Sequence, residues 1–167
     1  NRDEAPAAIR TRQYEAGLRY AITQHLALIA GGFSISKPYY NLDPAQRYRQ
    51  LGSLKNNGVE LSLTGELAPG LRIVAGMLFL DPKISGEAVR GGQIADRPVG
   101  QIRNRSIVNL DWRPGGGESP WSFDLALETY SRRPANALGT LHAPARSLLN
   151  IGARYHFGEI AELFGLQ

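Results

Sequence analysis

The chain has 167 residues, enough for one ordinary domain or part of a larger one, and nothing in its composition suggests a second. It has no cysteine, which excludes a disulfide framework, a thiolate metal site and a cysteine nucleophile. Its formal charge of +4 comes mostly from arginines scattered over strand ends and loops, a distribution that argues against a nucleic-acid partner.

No stretch approaches the roughly 18 consecutive apolar residues of a membrane-spanning helix, and the start, Asn1-Arg2-Asp3-Glu4, is not a signal peptide. That excludes a helical membrane protein but not a membrane barrel, whose strands need only about 10 residues each and alternate between lipid and a polar lumen.

Seven strands are predicted, at about Tyr14–Ile22, Leu26–Ser36, Asn57–Leu67, Leu71–Ile84, Arg105–Arg113, Trp121–Arg132 and Ser147–Phe157. The third alternates most clearly: Val59, Leu61, Leu63, Gly65 and Leu67 are apolar or small, and Glu60, Ser62, Thr64 and Glu66 lie between them. The last two alternate as well, with Trp121, Phe123, Leu125 and Leu127 against Ser122, Asp124 and Glu128, and Leu149, Ile151, Ala153, Tyr155 and Phe157 against Asn150, Arg154 and His156. The second strand breaks the pattern, because Leu26, Leu28 and Ala30 share one face and Phe33 and Ile35 the other. Either a bulge at Gly31-Gly32 resets the phase, or the strand is apolar on both sides.

The connections alternate in length. Thr23-Gln24, Ala68-Pro69-Gly70 and Pro114–Pro120 are tight or glycine-rich turns, whereas Lys37–Asn56, Ser85–Asn104 and Arg133–Arg146 are read as long loops, all at the opposite end. Short turns at one end and long loops at the other are the rule in outer-membrane barrels. Tyr20, Trp112, Trp121, Tyr155 and Phe157 all fall at the short-turn end, as an aromatic girdle at a membrane interface requires. The polar set Glu15, Arg19, Glu60, Thr64, Glu66, Asp124, Glu128, Arg154 and His156 is then expected to face the lumen.

No catalytic or metal-binding constellation is present in the sequence. His25, His142 and His156 lack ligand spacing, and there is no HExxH, GxSxG or Walker-type loop, so an enzyme is not expected.

The ordered series Tyr14-Glu15-Ala16-Gly17-Leu18-Arg19-Tyr20, Asn41-Leu42-Asp43-Pro44, Tyr48-Arg49-Gln50-Leu51-Gly52 and Asn57 to Leu71, continued by Arg97-Pro98-Val99-Gly100, Leu110-Asp111-Trp112 and Ile151-Gly152-Ala153-Arg154-Tyr155, resembles the carboxy-terminal barrel region of TonB-dependent outer-membrane receptors of the siderophore branch. The resemblance implies an all-β antiparallel meander forming a partial transmembrane β-barrel, about seven strands of a larger one. Such receptors have 22 strands around a plug. It also implies a location in the bacterial outer membrane, contact with its lipid and lipopolysaccharide, and a part in ferric-siderophore uptake. TonB would act through a plug domain that residues 1–167 lack, and no cofactor is implied, iron entering only inside the transported complex. Residues 158–167 do not continue the family's pattern, so a fragment or truncated receptor is expected.

Within that family the long loops are the ligand candidates. Lys37–Asn56 carries Lys37, Arg47, Arg49 and Lys55 against Asp43, and Ser85–Arg105 carries Arg90, Arg97, Arg103 and Arg105 against Glu87 and Asp96. A basic vestibule attracts anionic ferric siderophores, and tyrosines offer flat amphipathic surfaces. Tyr39, Tyr40, Arg47, Tyr48, Arg90 and Arg97 are accordingly the candidate contacts. The alternative for the same residues is a soluble antiparallel β module that binds a ligand or partner, its apolar faces meeting as a core.

Overall fold

The computed structural model describes residues 9–157 except Pro44 and Gly117. The predicted break in the family's pattern over residues 158–167 lies outside the described residues. Seven strands make one antiparallel sheet in chain order: β1 (Arg12–Ala21), β2 (Leu26–Leu42), β3 (Tyr48–Ala68), β4 (Leu71–Ser85), β5 (Asn104–Trp112), β6 (Trp121–Tyr130) and β9 (Arg146–Tyr155). A four-residue helix, α1 (Glu87–Arg90), follows β4, and a two-strand ribbon, β7 (Arg133–Pro134) with β8 (His142–Ala143), lies between β6 and β9. The all-β meander read from the alternation is therefore what forms.

The register separates the two faces. Tyr20, Leu28, Leu63, Ala75, Val108, Leu127 and Leu149 are successive partners across all seven strands, and every member is apolar or aromatic. One residue along, on the opposite face, the row is Arg19, Ile29, Ser62, Gly76, Ile107, Glu128 and Leu148. Because side chains alternate strictly along a strand, these two rows fix the faces for the rest of the sheet. Glu15, Arg19, Glu60, Thr64, Glu66, Asp124, Glu128 and Arg154 share the mixed, polar face, as expected. His156 lies beyond β9, where its N–H donates to the Pro120 carbonyl.

On the apolar face the band has two polar edges. Its lower edge runs from Tyr20 on β1 down to Trp121 and Tyr155 on β6 and β9. Its upper edge runs from Arg12 on β1 down to Ser106, Thr129 and Ser147 on β5, β6 and β9. Both edges descend in the same sense relative to the register. Strands tilted against a level band produce this stagger, as in a closed barrel.

The structure decides one open alternative and corrects one expectation. There is no bulge at Gly31-Gly32, since the ladder runs unbroken through both residues to β1 and β3, and the register shift falls instead between Tyr39 and Tyr40. Hence β2 is apolar on both sides. Phe33 lies on the polar face across Gly58, where a Cβ would come 2.3 Å from the ring. The correction concerns length. Most of Lys37–Asn56 is strand, because β2 and β3 continue past the ends of β1 and β4 as a projecting hairpin that leaves only five residues between Leu42 and Tyr48. Lysines, tyrosines and a proline gave this stretch no alternation to read, and its ladder is made by backbone groups.

The buried apolar cluster is small and lies at the long-loop end: Leu51, Leu54, Ile84, Ala88 and Ile94, with Tyr39 and Val89 packed against it. Among the described residues no second layer covers the apolar band, whereas a soluble sandwich places another sheet there. The outer edges of β1 and β9 are likewise unpaired among the described residues. In a bilayer such edges need partner strands.

Candidate functional site

The short-turn end is built tightly. The Gly70 N–H donates to the Glu66 carboxylate at 2.9 Å, and the Arg113 N–H donates to the Gly70 carbonyl at 2.8 Å, so two neighbouring turns lock together. The predicted girdle residues are here, on the apolar face. Trp121 meets Tyr155 edge-on at 4.8 Å, and Tyr155 meets Phe157 at 4.8 Å in the same way. Phe123, absent from the predicted girdle, joins Trp112 (5.5 Å) to Trp121 (6.0 Å). Its place on the apolar side of the Trp121–Leu127 alternation is the signal that would have added it. Tyr20 shares the end and the face but sits on β1, across the sheet from this cluster.

At the opposite end the structure sorts the six predicted ligand contacts into three environments. Tyr39 packs against the buried cluster, and its hydroxyl accepts a hydrogen bond from Asn41 Nδ2 at 2.9 Å. Tyr40 and Tyr48 stack at 5.9 Å near the hairpin tip, which Asp43 organises. Asp43 is only 3% exposed. Its carboxylate accepts from the N–H of Ala45 (2.9 Å) and Arg47 (3.0 Å) and from the Nε of Arg47 (3.2 Å) and Arg49 (2.8 Å). The Arg47 backbone N–H does most to lower its pKa from 3.8 to about 2, helped by the guanidinium groups of Arg49 and Arg47 and opposed by burial. Arg47 and Arg49 thus share the one carboxylate of Asp43, which leaves the tip a single net positive charge.

A depressed carboxyl pKa stabilises the tip fully above the unfolded value of 3.8, and that contribution disappears as pH falls towards about 2. Pepsin should therefore leave the 42–48 tip intact at pH 4 and cut it near pH 2. Asp43→Asn, which presents an amide to the donors of Arg47 and Arg49, should make the tip cleavable at pH 4, with a rate increase of roughly tenfold or more.

Arg97 has a different setting. Residues 95–103 run back along the outer half of β4, where Ile84 N–H donates to the Asp96 carbonyl (2.7 Å) and Leu80 N–H to that of Arg103 (2.6 Å). The following long connection fastens onto this segment through Ala95 N–H to the Ala137 carbonyl (2.8 Å) and Gly100 N–H to that of Pro134 (2.9 Å). Ser131 Oγ accepts from the N–H of Arg103 (3.0 Å) and Asn104 (3.1 Å). Between the two segments lies a cavity of about 190 Å³ lined by Pro82, Arg97, Gln101, Arg103, Arg132, Pro134 and His142. Three arginines and a histidine share this lining with no acidic residue. Arg103 has a distant partner in Asp81 at 3.9 Å, and Arg97 and Arg132 form no ion pair among the described residues. Like charges held together in this way favour an anion, which guanidinium binds through paired N–H donors.

The short-turn end has a second basic lining, with Arg113, Arg154 and His156, but there the arginine of β9 is paired. The depression over Gly76 is largely apolar, and at the short-turn end Arg154 is answered by Asp124 at 2.7 Å and Asp111 at 3.9 Å. Of the predicted contacts only Arg97 reaches the basic cavity, whereas Arg90 is exposed at the end of α1. Arg103, Arg132 and His142 were not chosen from the sequence. The stretch 131–147, which has three arginines and a histidine and no acidic residue, carried the signal for the last two.

Residues 6–165 match the family described as TonB dependent receptor-like, beta-barrel. The chain belongs to that family. It is similar to the ferrichrome receptor FcuA of Yersinia enterocolitica, with 33% identity over 156 residues that cover 93% of this chain and 20% of FcuA. Its structure is similar to that of BauA, the ferric preacinetobactin receptor of Acinetobacter baumannii, with a TM-score of 0.72 and 27% identity over 87% of this chain and 22% of BauA. The yersiniabactin receptor FyuA of Yersinia pestis shares the fold, with a TM-score of 0.71 and 16% identity over 88% of this chain and 22% of FyuA. The chain thus spans about a fifth of the length of these relatives. Family membership makes the sheet part of an outer-membrane β-barrel wall. The family is one of transport receptors, not of enzymes.

Proposed function

We propose that the chain is the carboxy-terminal part of the barrel of a TonB-dependent receptor that takes up ferric siderophores, with the plug and the remaining strands supplied by other parts of the same protein. The basic cavity of Arg97, Arg103, Arg132 and His142, held at the outer mouth by backbone hydrogen bonds, carries this reading. It would hold an acidic group of the cargo, and the surrounding positive field would raise the on-rate. The siderophore names of the relatives support the class of cargo. Iron is then cargo inside the chelate and not a cofactor. TonB acts on the plug, the barrel is a passive wall, and the apolar band meets membrane lipid and lipopolysaccharide.

The test is ferric-siderophore binding by the intact receptor carrying Arg97→Gln or Arg132→Gln. Each substitution is expected to weaken an anionic chelate roughly 10- to 100-fold, the range for a hydrogen bond to a charged group, and to leave a neutral chelate nearly unchanged. Equal losses for both chelates would exclude an electrostatic role for the cavity.

A further inference from the structure

Of the four ionisable groups that line the outer cavity, three carry a fixed charge and one does not. Arg97, Arg103 and Arg132 are guanidinium groups, which stay protonated, whereas His142 is an imidazole, a side chain that as a class changes charge between about pH 5 and 8. The backbone holds His142 in place. It pairs with Pro134 across the β7–β8 ribbon, and beside it the Ala135 N–H donates to the Leu141 carbonyl at 2.8 Å. The Pro134 carbonyl accepts the Gly100 N–H at 2.9 Å, which fastens the ribbon to the 95–103 segment. His142 is also exposed, so its ring exchanges protons with the surrounding medium.

The charged groups around the imidazole come from two segments, Arg97 and Arg103 from 95–103 and Arg132 from the connection after β6, and the rest of the lining is the uncharged Pro82, Gln101 and Pro134. Asp81 and Asp96 adjoin lining residues in the chain but are not in the lining, and Asp81 has Lys83 at 3.2 Å. An acid seated among the three arginines therefore meets four positive charges when the imidazole is protonated and three when it is not. The protonated ring also offers it one more charge-assisted N–H donor. Proton and anion then favour each other, by the same factor in each direction.

We propose that His142 couples capture of the cargo's acidic group to uptake of a proton from the medium outside the cell, so that the receptor binds an anionic chelate more tightly in acidic than in alkaline surroundings. The proton goes to the free ring nitrogen, and no bond of the cargo is made or broken. This rests on the reading of the cavity as the seat of that acidic group, and it adds the residue through which external acidity sets the affinity. His25 and His156 stand at the short-turn end, so among the described residues they are remote from this cavity.

The test uses the intact receptor in detergent and two ferric hydroxamate chelates that differ in one side arm, which ends in a carboxylate in one and in the corresponding amide in the other. Both are chosen to hold iron and a constant charge from about pH 5.5 to about pH 8, the range of the imidazole. The acid-armed chelate is expected to bind roughly five- to tenfold tighter at the acidic end, the lower limit for a hydrogen bond to a charged group because the site is open to water. Titration heats in two buffers of different ionisation enthalpy should then show the uptake of roughly half a proton per chelate at its maximum, as a linkage of that size requires. The amide-armed chelate should show neither effect. H142Q should hold the acid-armed chelate at the weaker, alkaline level at every pH, and H142K, which carries its charge throughout, at the tighter level. Affinity for the acid-armed chelate that does not change with pH, a pH dependence that survives H142Q, or the same pH dependence for the amide-armed chelate would each overturn the proton link. Equal affinities for the two chelates at every pH would overturn the anion-site reading itself, whereas a preference for the acid that is constant with pH would remove only the role of His142. H142K keeps the comparison decisive if H142Q does not fold.

Discussion

Leu63→Arg is expected to destabilise the receptor barrel by about 2–4 kcal/mol, and Thr64→Arg, one residue along the same strand, by close to nothing. Leu63 is central among the outward residues Val59, Leu61, Leu63, Gly65 and Leu67 of β3, with Leu28 and Ala75 as its lateral partners. An arginine there must leave its guanidinium near the bilayer midplane or bend the chain a long way to reach water. Thr64 pairs with Ala27 and Val74 on the other face, which also carries Glu60, Glu66 and Arg72. Denaturant unfolding of the receptor in phospholipid vesicles, followed by tryptophan fluorescence and heat-modifiable gel migration, measures both. Equal costs at the two positions would mean that the sheet meets the same solvent on each side, which contradicts a barrel wall.

Gly65→Ala should cost about 2–6 kcal/mol, combining backbone strain with overpacking against main chain. Gly65 has φ = 141°, which L side chains rarely adopt, and a Cβ there would lie 1.9 Å from the His25 carbonyl oxygen and 2.7 Å from Leu26 Cα. That carbonyl also accepts the Glu66 N–H at 2.9 Å, so retreat from the new methyl breaks the hydrogen bond that closes β2 onto β3 beside the first turn. Gly31→Ala is the control. Its Cβ would come no closer than 3.9 Å to Ala16 O, and it should change the unfolding midpoint little. A similar midpoint shift for both substitutions would show that β2 and β3 do not close as described.

The two strands these predictions probe also show how far the sequence could be read. In β3 the alternation from Val59 to Leu67 identified strand, face and register parity, because a two-residue period leaves one arrangement that keeps apolar groups from water on one side. In β2 the same rule failed: Phe33 and Ile35 are apolar residues on the lumen face, where Gly58 makes room for the Phe33 ring. A lumen wall can carry apolar groups that other parts of the receptor cover, so hydropathy alone could not choose between a bulge and a two-sided strand. The Lys37–Asn56 stretch was misread as loop because its strands project beyond their neighbours and rest on backbone pairing and on the Asp43 cluster at the tip, neither of which leaves a period.

By itself, then, the sequence determined the all-β meander, the turn ends, the apolar face and the family resemblance, since each follows from local alternation, turn residues or their order along the chain. Only the tertiary structure decided which cations are available. Arg47 and Arg49 share the Asp43 carboxylate at the hairpin tip, whereas Arg97, Arg103, Arg132 and His142, from segments far apart in the chain, meet around one cavity. Charge acts through distance in space, and sequence separation does not report that distance once strands carry remote segments to the same rim.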